Sequence, residues 1–251
     1  MTRRYLAFDI ETAKDVPGED FNWRAHRPLG ISCAAALRCD ADEAILWYGK
    51  KDDGTPAGRM SRGEAGELVR ELARLTTEGY TLLTWNGLGF DFDVLGEESG
   101  CGDECKELAL EHVDMMFHVF CDRGFPVALD RAALALGIPG KPAGMCGLLA
   151  PRLWAEGRCQ EVLDYVAQDA RIALQVASVC EERRRFKWKT QRGTTSSMEL
   201  PRGWLTVCEA MRLPMPDTSW MDHAIPRDTF TRWVTERRNR EEDRRRVGSE
   251  E

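Results

Sequence analysis

The stretch "RYLAFDIET", residues 4–12, is an apolar run that ends in two carboxylates. Its aliphatic and aromatic residues predict a buried central β-strand. Because side chains alternate along a strand, Asp9 and Glu11 share one face and Ile10 points the other way. Two like charges on a buried face repel each other and lose hydration, and a divalent cation removes both penalties. Taken alone, the pair also fits a strand that simply ends in solvated acids.

The residues around this strand predict an α/β fold. Two further strands are expected at residues 30–37 and 43–49, and a helix at 61–79 that ends at a glycine. Another strand follows at 80–86, and the region 89–180 has mainly helical patterns. Strands interleaved with helices in this way predict a mixed β-sheet flanked by helices.

The composition changes after about residue 185, where we expect a mostly helical C-terminal extension. The segment "KWKTQRGTTSSMELPRG", residues 187–203, is polar and basic and is predicted to be a loop. Helices are expected at 204–214 and 229–246. The sequence thus predicts a main domain at residues 1–185, with residues 186–251 packed on it because of their apolar and aromatic content.

Composition excludes several classes of protein. None of the 251 residues belongs to an apolar run long enough to cross a membrane, and no signal peptide is apparent, so a cytoplasmic protein is expected. The nine cysteines show no paired zinc-ligand spacing, which argues against a zinc site or a disulfide framework. The net charge is −7, but residues 181–192 are locally basic and could contact an anionic polymer.

A second acidic stretch, "TWNGLGFDF" at residues 84–92, follows the strand at 80–86. Ligands of open α/β sheets bind beyond the strand ends, and here Asn86, two glycines and Asp91 occupy such an end. The same residues also fit an ordinary turn into a helix that is capped by Asp91 or Asp93.

A third stretch, "LDYVAQDARIAL" at residues 163–174, is predicted to be helical. Tyr165 and Asp169 are four residues apart, so they lie on one face of the helix, one turn apart, and can point at one site. The alternative is a partly exposed tyrosine beside an ordinary helical acid.

Taken together and in order, "FDIET", "NGLGFD" and "YVAQD" resemble the three motifs of the DEDD superfamily of 3′–5′ exonucleases. The third motif has a tyrosine four residues before its aspartate and in this respect resembles the DEDDy branch, which includes the proofreading domains of family B DNA polymerases. The resemblance covers about residues 3–183 and implies the RNase H-like (DnaQ-like) fold. It also implies metal-dependent hydrolysis of phosphodiester bonds from the 3′ end of nucleic acid, single-stranded in particular.

The resemblance implies a role for each matched residue. Asp9, Glu11, Asp91 and Asp169 would hold two Mg²⁺ or Mn²⁺ ions, with Asp9 bridging them and Asp91 acting on the second ion mostly through water. Carboxylate oxygens suit both metals. Tyr165 would orient the attacking water, because a phenol with an ordinary pKa near 10 is a poor base at neutral pH.

Substrate contacts are expected in two places. Within the motifs, Thr12, Asn86 and Phe90 would hold the last nucleotides, although the Phe90 ring could equally pack inward. In the predicted basic loop, Lys187 and Lys189 would meet phosphates and Trp188 would stack on a base; a loop with no specific role is the alternative.

Two acids stand outside the four-acid set. Asp93 occupies a position where many relatives have proline, and we predict that it caps a helix rather than competing for metal. Asp114 is predicted to be structural. The other functional readings are a catalytically silent nucleic-acid-binding module and a trimming subunit of a larger complex. No polymerase region follows in these 251 residues, so any proofreading is expected to act in trans.

Overall fold

The computed structural model describes residues 3–16, 22–140 and 147–236. In chain order the elements are β1 (Arg4–Thr12), β2 (Ile31–Arg38), β3 (Ile45–Tyr48), α1 (Arg62–Thr77), β4 (Tyr80–Thr84), α2 (Asp91–Ser99), α3 (Gly102–Glu111), β5 (Val113–Asp114), α4 (Met115–Arg123), α5 (Leu129–Leu136), α6 (Ala150–Ala155), α7 (Cys159–Arg183), β6 (Arg185–Lys189), β7 (Thr195–Glu199), α8 (Val207–Ala210) and α9 (Asp228–Thr235). A short 3₁₀ helix at Trp23–His26 lies between β1 and β2.

The main sheet is mixed and has β1 at its centre. Its strand order is β3-β2-β1-β4-β5. The strand β2 runs antiparallel to both β1 and β3, whereas β4 runs parallel to β1 and β5 runs parallel to β4. The carboxyl ends of β1, β4 and β5 therefore meet at one edge of the sheet. The predicted α/β class, with a mixed sheet flanked by helices, is confirmed.

The two faces of β1 enter two separate hydrophobic clusters. Tyr5 and Ala7 pack with residues of α7, and Leu6, Phe8 and Ile10 pack on the opposite side with residues of α1 and α2. Burial on both sides explains why the strand is apolar nearly throughout. It also means that Asp9 and Glu11, which alternate in phase with Ala7, emerge on the face covered by α7.

The helix α1 shows how local signals set the bounds of an element. Ser61 accepts a hydrogen bond from the Glu64 N–H, and the Glu64 carboxylate accepts one from the Ser61 N–H, so a capping box begins the helix. Gly79, at φ +89°, follows its last turn, where the sequence predicted the stop. Leu68 and Leu72 are fully buried on the inner face.

The predicted loop at residues 187–203 is wrong, because its first part belongs to a β-hairpin. The strands β6 and β7 pair antiparallel with Trp188 opposite Ser196. Phe186 and Trp188 point into the core and alternate with exposed or half-buried basic residues. This alternation has the period of a strand, and the high content of charge obscured it in the sequence.

The predicted C-terminal helices are shorter in the structure. The expected helix at 204–214 contains only α8, which begins with a capping box at Thr206. The helix expected at 229–246 corresponds to α9, which ends at Thr235, and residues 237–246 of the expected helix lie outside the described part of the chain.

The described part of the C-terminal extension packs on the main domain. The Arg227 guanidinium donates to the carbonyls of Met211 at 3.1 Å and Cys121 at 3.2 Å. The Phe230 ring lies 4.7 Å from that of Phe120. The division into a main domain at 1–185 and an extension at 186–251 stays a prediction, and its boundary falls within β6. No helix within the described residues is both long enough and apolar enough to cross a membrane.

Candidate active site

The first part of the site is the end of β1. Asp9 and Glu11 lie on the face covered by α7, and Glu11 is only 7% exposed. A register shift occurs between Glu11 and Thr12, a β-bulge of the kind often found beside active sites. The Ser32 hydroxyl donates to the Glu11 carbonyl at 3.0 Å and so satisfies a backbone acceptor at this irregularity.

The helix α7 brings the third stretch to the same place. Tyr165 and Asp169 are both buried and lie one helical turn apart on its inner face. Ligand oxygens of Asp9, Glu11 and Asp169 all lie within 4.8 Å of one another. Carboxylates this close and this buried repel strongly when all are ionised, so a cation at their centre is the natural counter-charge.

Asp91, the first residue of α2, completes the acidic set. Its Oδ1 accepts a hydrogen bond of 3.1 Å from the backbone N–H of Ile10, between the two acids of β1. Burial raises the pKa of Asp91 to about 7, and the charge of Asp114 adds to that rise. Hydrogen bonds from backbone N–H groups and with the Asp9 side chain act in the opposite direction on this pKa.

Tyr165 lies in the same acidic surroundings. Burial raises the pKa of its phenol far above the ordinary value, and the charges of Asp169, Glu11 and Asp9 raise it further. The hydroxyl therefore keeps its proton at neutral pH and donates to Asp169. A protonated phenol can orient a water molecule by hydrogen bonding, but it cannot accept that water's proton.

The turn between β4 and α2 is held by Asp114. Its carboxylate accepts hydrogen bonds from the backbone N–H groups of Asn86 at 3.0 Å, Leu88 at 2.9 Å and Phe117 at 2.9 Å. Asn86 has the left-handed backbone conformation at φ +76°, which asparagine tolerates better than most residues. The structural role that was predicted for Asp114 is thus to fix the turn that carries Asn86 and Phe90.

The acids open into one cleft of about 960 Å³. All four acids and Tyr165 line it, together with the three predicted substrate residues of the motifs: Thr12, Asn86 and Phe90. The Phe90 ring is half-buried and meets the Trp23 ring edge-on at 5.0 Å. Both alternatives for Phe90 are therefore partly realised, because one edge packs on protein while the side chain still borders the cleft.

The basic segment does not line this cleft. Lys187, Trp188 and Lys189 are not among the residues that line it. Trp188 is 5% exposed and its ring stacks on that of Phe186 at 5.4 Å, so the prediction that this ring stacks on a base is wrong. Lys187 and Lys189 are half-buried on the outer side of the hairpin, where the Lys189 ammonium donates to the Thr195 hydroxyl.

Asp93 has a different role from the predicted one. Phe90, not Asp93, occupies the N-cap position of α2, and no side chain caps this helix. The Asp93 carboxylate is buried and forms ion pairs with Arg24 at 3.2 Å and Arg27 at 2.5 Å. It therefore ties the connection between β1 and β2 to the first turn of α2, and it does not line the cleft.

Several cleft residues were missed in the sequence. Trp23, Arg24 and Lys14 come from the connection after β1, and Thr229 and Phe230 come from α9. The residues of the connection after β1 show no helical or strand periodicity, so no pattern in the sequence predicted that they line the cleft. The apolar and aromatic content of the extension indicated that it packs on the domain, but only the tertiary structure shows which surface α9 covers.

Comparison with known proteins supports the fold. No protein-family model matches the sequence, and no curated protein is significantly similar to it. The solved structure of the family B DNA polymerase from the hyperthermophilic archaeon Pyrobaculum calidifontis is similar to this chain, with a TM-score of 0.52 and 18% identity over 72% of this chain and 25% of that one. The chain thus spans about a quarter of the polymerase's length. This similarity confirms the predicted RNase H-like fold.

Structures of exonuclease I are also similar, at lower scores. One has a TM-score of 0.40 and 17% identity over 72% of this chain and 41% of that one. The structure of E. coli exonuclease I with a 5cy-dA13 oligonucleotide has a TM-score of 0.37 and 18% identity over 72% and 41% of the two chains.

Proposed function

We propose that the protein is a metal-dependent 3′–5′ exonuclease that hydrolyses phosphodiester bonds of single-stranded nucleic acid. The observation that carries this proposal is the close group of Asp9, Glu11 and Asp169, whose ligand oxygens lie within 4.8 Å of one another in a cleft. Asp91 and Tyr165 line the same cleft. The five positions are those that the resemblance to the DEDDy exonucleases marks as catalytic.

The residues present fit two divalent ions. All the donors are carboxylate oxygens, which suit Mg²⁺ or Mn²⁺ and not the softer metals. Asp9, Glu11 and Asp169 would hold one ion, and Asp9 with Asp91 would hold the second. When bound, such ions would supply charge stabilisation to the attacking and leaving oxygens of an in-line displacement at phosphorus.

The chain's own groups would position the reactants. The Tyr165 hydroxyl, which stays protonated, would donate a hydrogen bond and orient the attacking water. Thr12, Asn86 and Phe90 border the cleft beside the acids and would hold the nucleotides at the 3′ end. We keep Lys187 and Lys189 as candidate phosphate contacts farther along the strand, outside the cleft.

The direction of degradation along the strand and the requirement for metal are tested with one substrate. A single-stranded oligonucleotide labelled at its 5′ end is incubated with Mg²⁺ or Mn²⁺ and, as a control, with EDTA. A ladder that shortens from the 3′ end only with metal supports the proposal. Binding without cleavage in either metal would favour the silent binding module instead. Matched DNA and RNA oligonucleotides in the same assay identify the preferred sugar.

A further inference from the structure

The helix α9 forms part of the cleft although it lies outside all three motifs. Its residues Thr229 and Phe230 line the cleft beside the turn that carries Asn86. Phe230 is half-buried, with its ring 6.0 Å from Phe117 and 4.7 Å from Phe120 on the protein side. One part of this ring therefore packs on the domain and another part borders the space beside the acids.

The position of α9 is fixed by polar contacts at both ends. The Trp233 indole N–H donates to the Leu88 carbonyl at 2.7 Å, which joins the helix directly to the turn between β4 and α2. Before the helix begins, the Arg227 guanidinium donates to the carbonyls of Met211 and Leu213. Because of these bonds, the Phe230 ring is held in place rather than carried on a free arm.

Gly89 allows α9 to approach this closely. A Cβ at residue 89 would lie 2.9 Å from the Phe230 Cδ1 and would also collide with the Asn86 Oδ1. The absence of a side chain at Gly89 thus brings Phe230 next to Asn86. The Phe90 ring, with Trp23 against its edge, lines the same cleft. Aromatic groups from three separate segments of the chain therefore border the space beside the acids.

We propose that Phe230 contacts an unpaired base at the 3′ end of the substrate and so sets the affinity of the cleft for single strands. This inference rests on the proposed exonuclease function. Aromatic contacts suit any of the bases, because each base has a π-face, and such contacts contribute without selecting a sequence. Phe230 is then a residue that binds substrate, supplied by the extension and not by the motifs.

The test couples a change in the protein to a change in the substrate. The variant Phe230→Leu keeps an apolar group against Phe117 and Phe120 but removes the ring. Four oligonucleotides of one length are compared: intact, abasic at the last position, abasic at the next-to-last position, and abasic ten positions away from the 3′ end. For each pair of protein and oligonucleotide, kcat and KM are measured with Mg²⁺, and each variant's Tm is recorded.

On the intact strand, Phe230→Leu is expected to lower kcat/KM about 10-fold, mainly through KM, because loss of the aromatic ring weakens the stacking that holds single strands. Removing the base at one of the last two positions should lower the wild-type kcat/KM and abolish the difference between the two proteins. The distant abasic site should leave that difference unchanged. Trp220→Ala, which removes a 66% exposed aromatic ring of the same extension, should behave as wild type.

An equal loss by Phe230→Leu on all four strands would show a purely structural role and overturn the inference. If Phe230→Leu has the same kcat/KM as the wild type on every strand, the inference is also overturned. If Phe230→Leu does not fold, Phe230→Met replaces it and is judged by the same coupling. Absence of cleavage by the wild type in both metals would instead refute the exonuclease function itself, so the two failures are distinguishable.

Discussion

The Oδ1 of Asp91 accepts a hydrogen bond of 3.1 Å from the backbone N–H of Ile10. This bond joins the first turn of α2 to the central strand at the residue between Asp9 and Glu11. It places the acid of the second motif beside the acids of the first, although the two are about eighty positions apart in the chain. The acidic site is therefore assembled by direct contact between the elements that carry it.

Without metal, the Asp91 carboxylate should destabilise the protein. In the folded state, burial raises the pKa of Asp91 to about 7, whereas an aspartate in the unfolded state has a pKa of about 3.9. The folded state thus binds more protons between these values, and stability falls as pH rises through this window. We expect Asp91→Asn, which keeps an oxygen for the Ile10 N–H, to raise Tm in EDTA at pH 8 by at least about 4 °C.

The same comparison at other conditions provides the controls. The Tm difference should shrink as the pH approaches 4, and Mn²⁺ should raise the wild-type Tm more than that of the variant. The exposed acid Asp164 on α7 serves as a matched control, because Asp164→Asn should leave the pH dependence unchanged. A variant that melts below the wild type at pH 8 in EDTA would contradict the assignment.

Tyr165→Phe should slow the enzyme without altering its pH dependence. A phenol with an ordinary pKa near 10 is protonated over most of the range from pH 6 to 9, and burial raises the pKa of Tyr165 further. Its removal takes away a positioning hydrogen bond, for which we expect a loss of about 10- to 100-fold in the rate of cleavage. Single-turnover rates from pH 6 to 9 test this. If the variant loses an alkaline limb that the wild type shows, Tyr165 acts as a base and the positioning role is wrong.

Acid should destabilise the protein through His112. Burial lowers the pKa of His112 to about 3. Its Nδ1 lies 2.7 Å from the Ala109 carbonyl, so Nδ1 must donate, and Nε2 accepts from the Thr84 hydroxyl at 2.9 Å. The unfolded state binds the extra proton at pH values below about 6.5, so the contribution of His112 to stability falls by about 2 kcal/mol between pH 7 and 5. Asp91, whose folded pKa is raised, contributes in the opposite direction over the same range.

Urea unfolding of the wild type and His112→Gln at pH 7 and 5 isolates the His112 contribution, because the contribution of Asp91 is common to both proteins. His112→Gln should be less stable than the wild type at pH 7, and this difference should shrink at pH 5. His223 is exposed, so His223→Gln is the matched substitution and should show the same pH dependence as the wild type. Parallel behaviour of His112→Gln and wild type would show that another group carries the acid sensitivity.

Substitution by alanine should destabilise the protein much more at Trp188 than at Trp220. Trp188 is 5% exposed in the core, and Trp220 is 66% exposed. We expect Trp188→Ala to lower the free energy of unfolding by about 3–5 kcal/mol, and Trp220→Ala to lower it by less than about 1 kcal/mol. Chemical denaturation measures both. If Trp188→Ala is instead as stable as the wild type but binds nucleic acid more weakly, Trp188 contacts a base, as the sequence predicted.

The strand at residues 4–12 and the acids could be predicted because local patterns carry them. Apolar runs predict buried strands, and spacings of two and four residues place side chains on one face of a strand or a helix. Asp9 with Glu11, and Tyr165 with Asp169, follow from this rule alone. The prediction grouped these two pairs because the three motifs occur in a known order along the chain. In the structure, the two pairs meet because α7 packs on β1.

Other parts depend on tertiary contacts that leave no local signal. The hairpin that contains Trp188 looked like a loop because its outward residues are charged. Asp93 looked like a helix cap, but the arginines that pair with it lie about seventy positions earlier in the sequence. Phe230 reaches the cleft only because Gly89, far from it in the chain, has no side chain. Each case requires knowledge of which distant segments meet.

The most direct test of the central claim compares two acids of α7. Asp169 is buried and grouped with Asp9 and Glu11, whereas Asp164 is exposed on the same helix. We measure the single-turnover rate of 3′ shortening of a 5′-labelled single strand with Mn²⁺ for Asp169→Asn, Asp164→Asn and the wild type. The account predicts a loss of at least about 100-fold for Asp169→Asn and a wild-type rate for Asp164→Asn. Equal rates for all three proteins would contradict it.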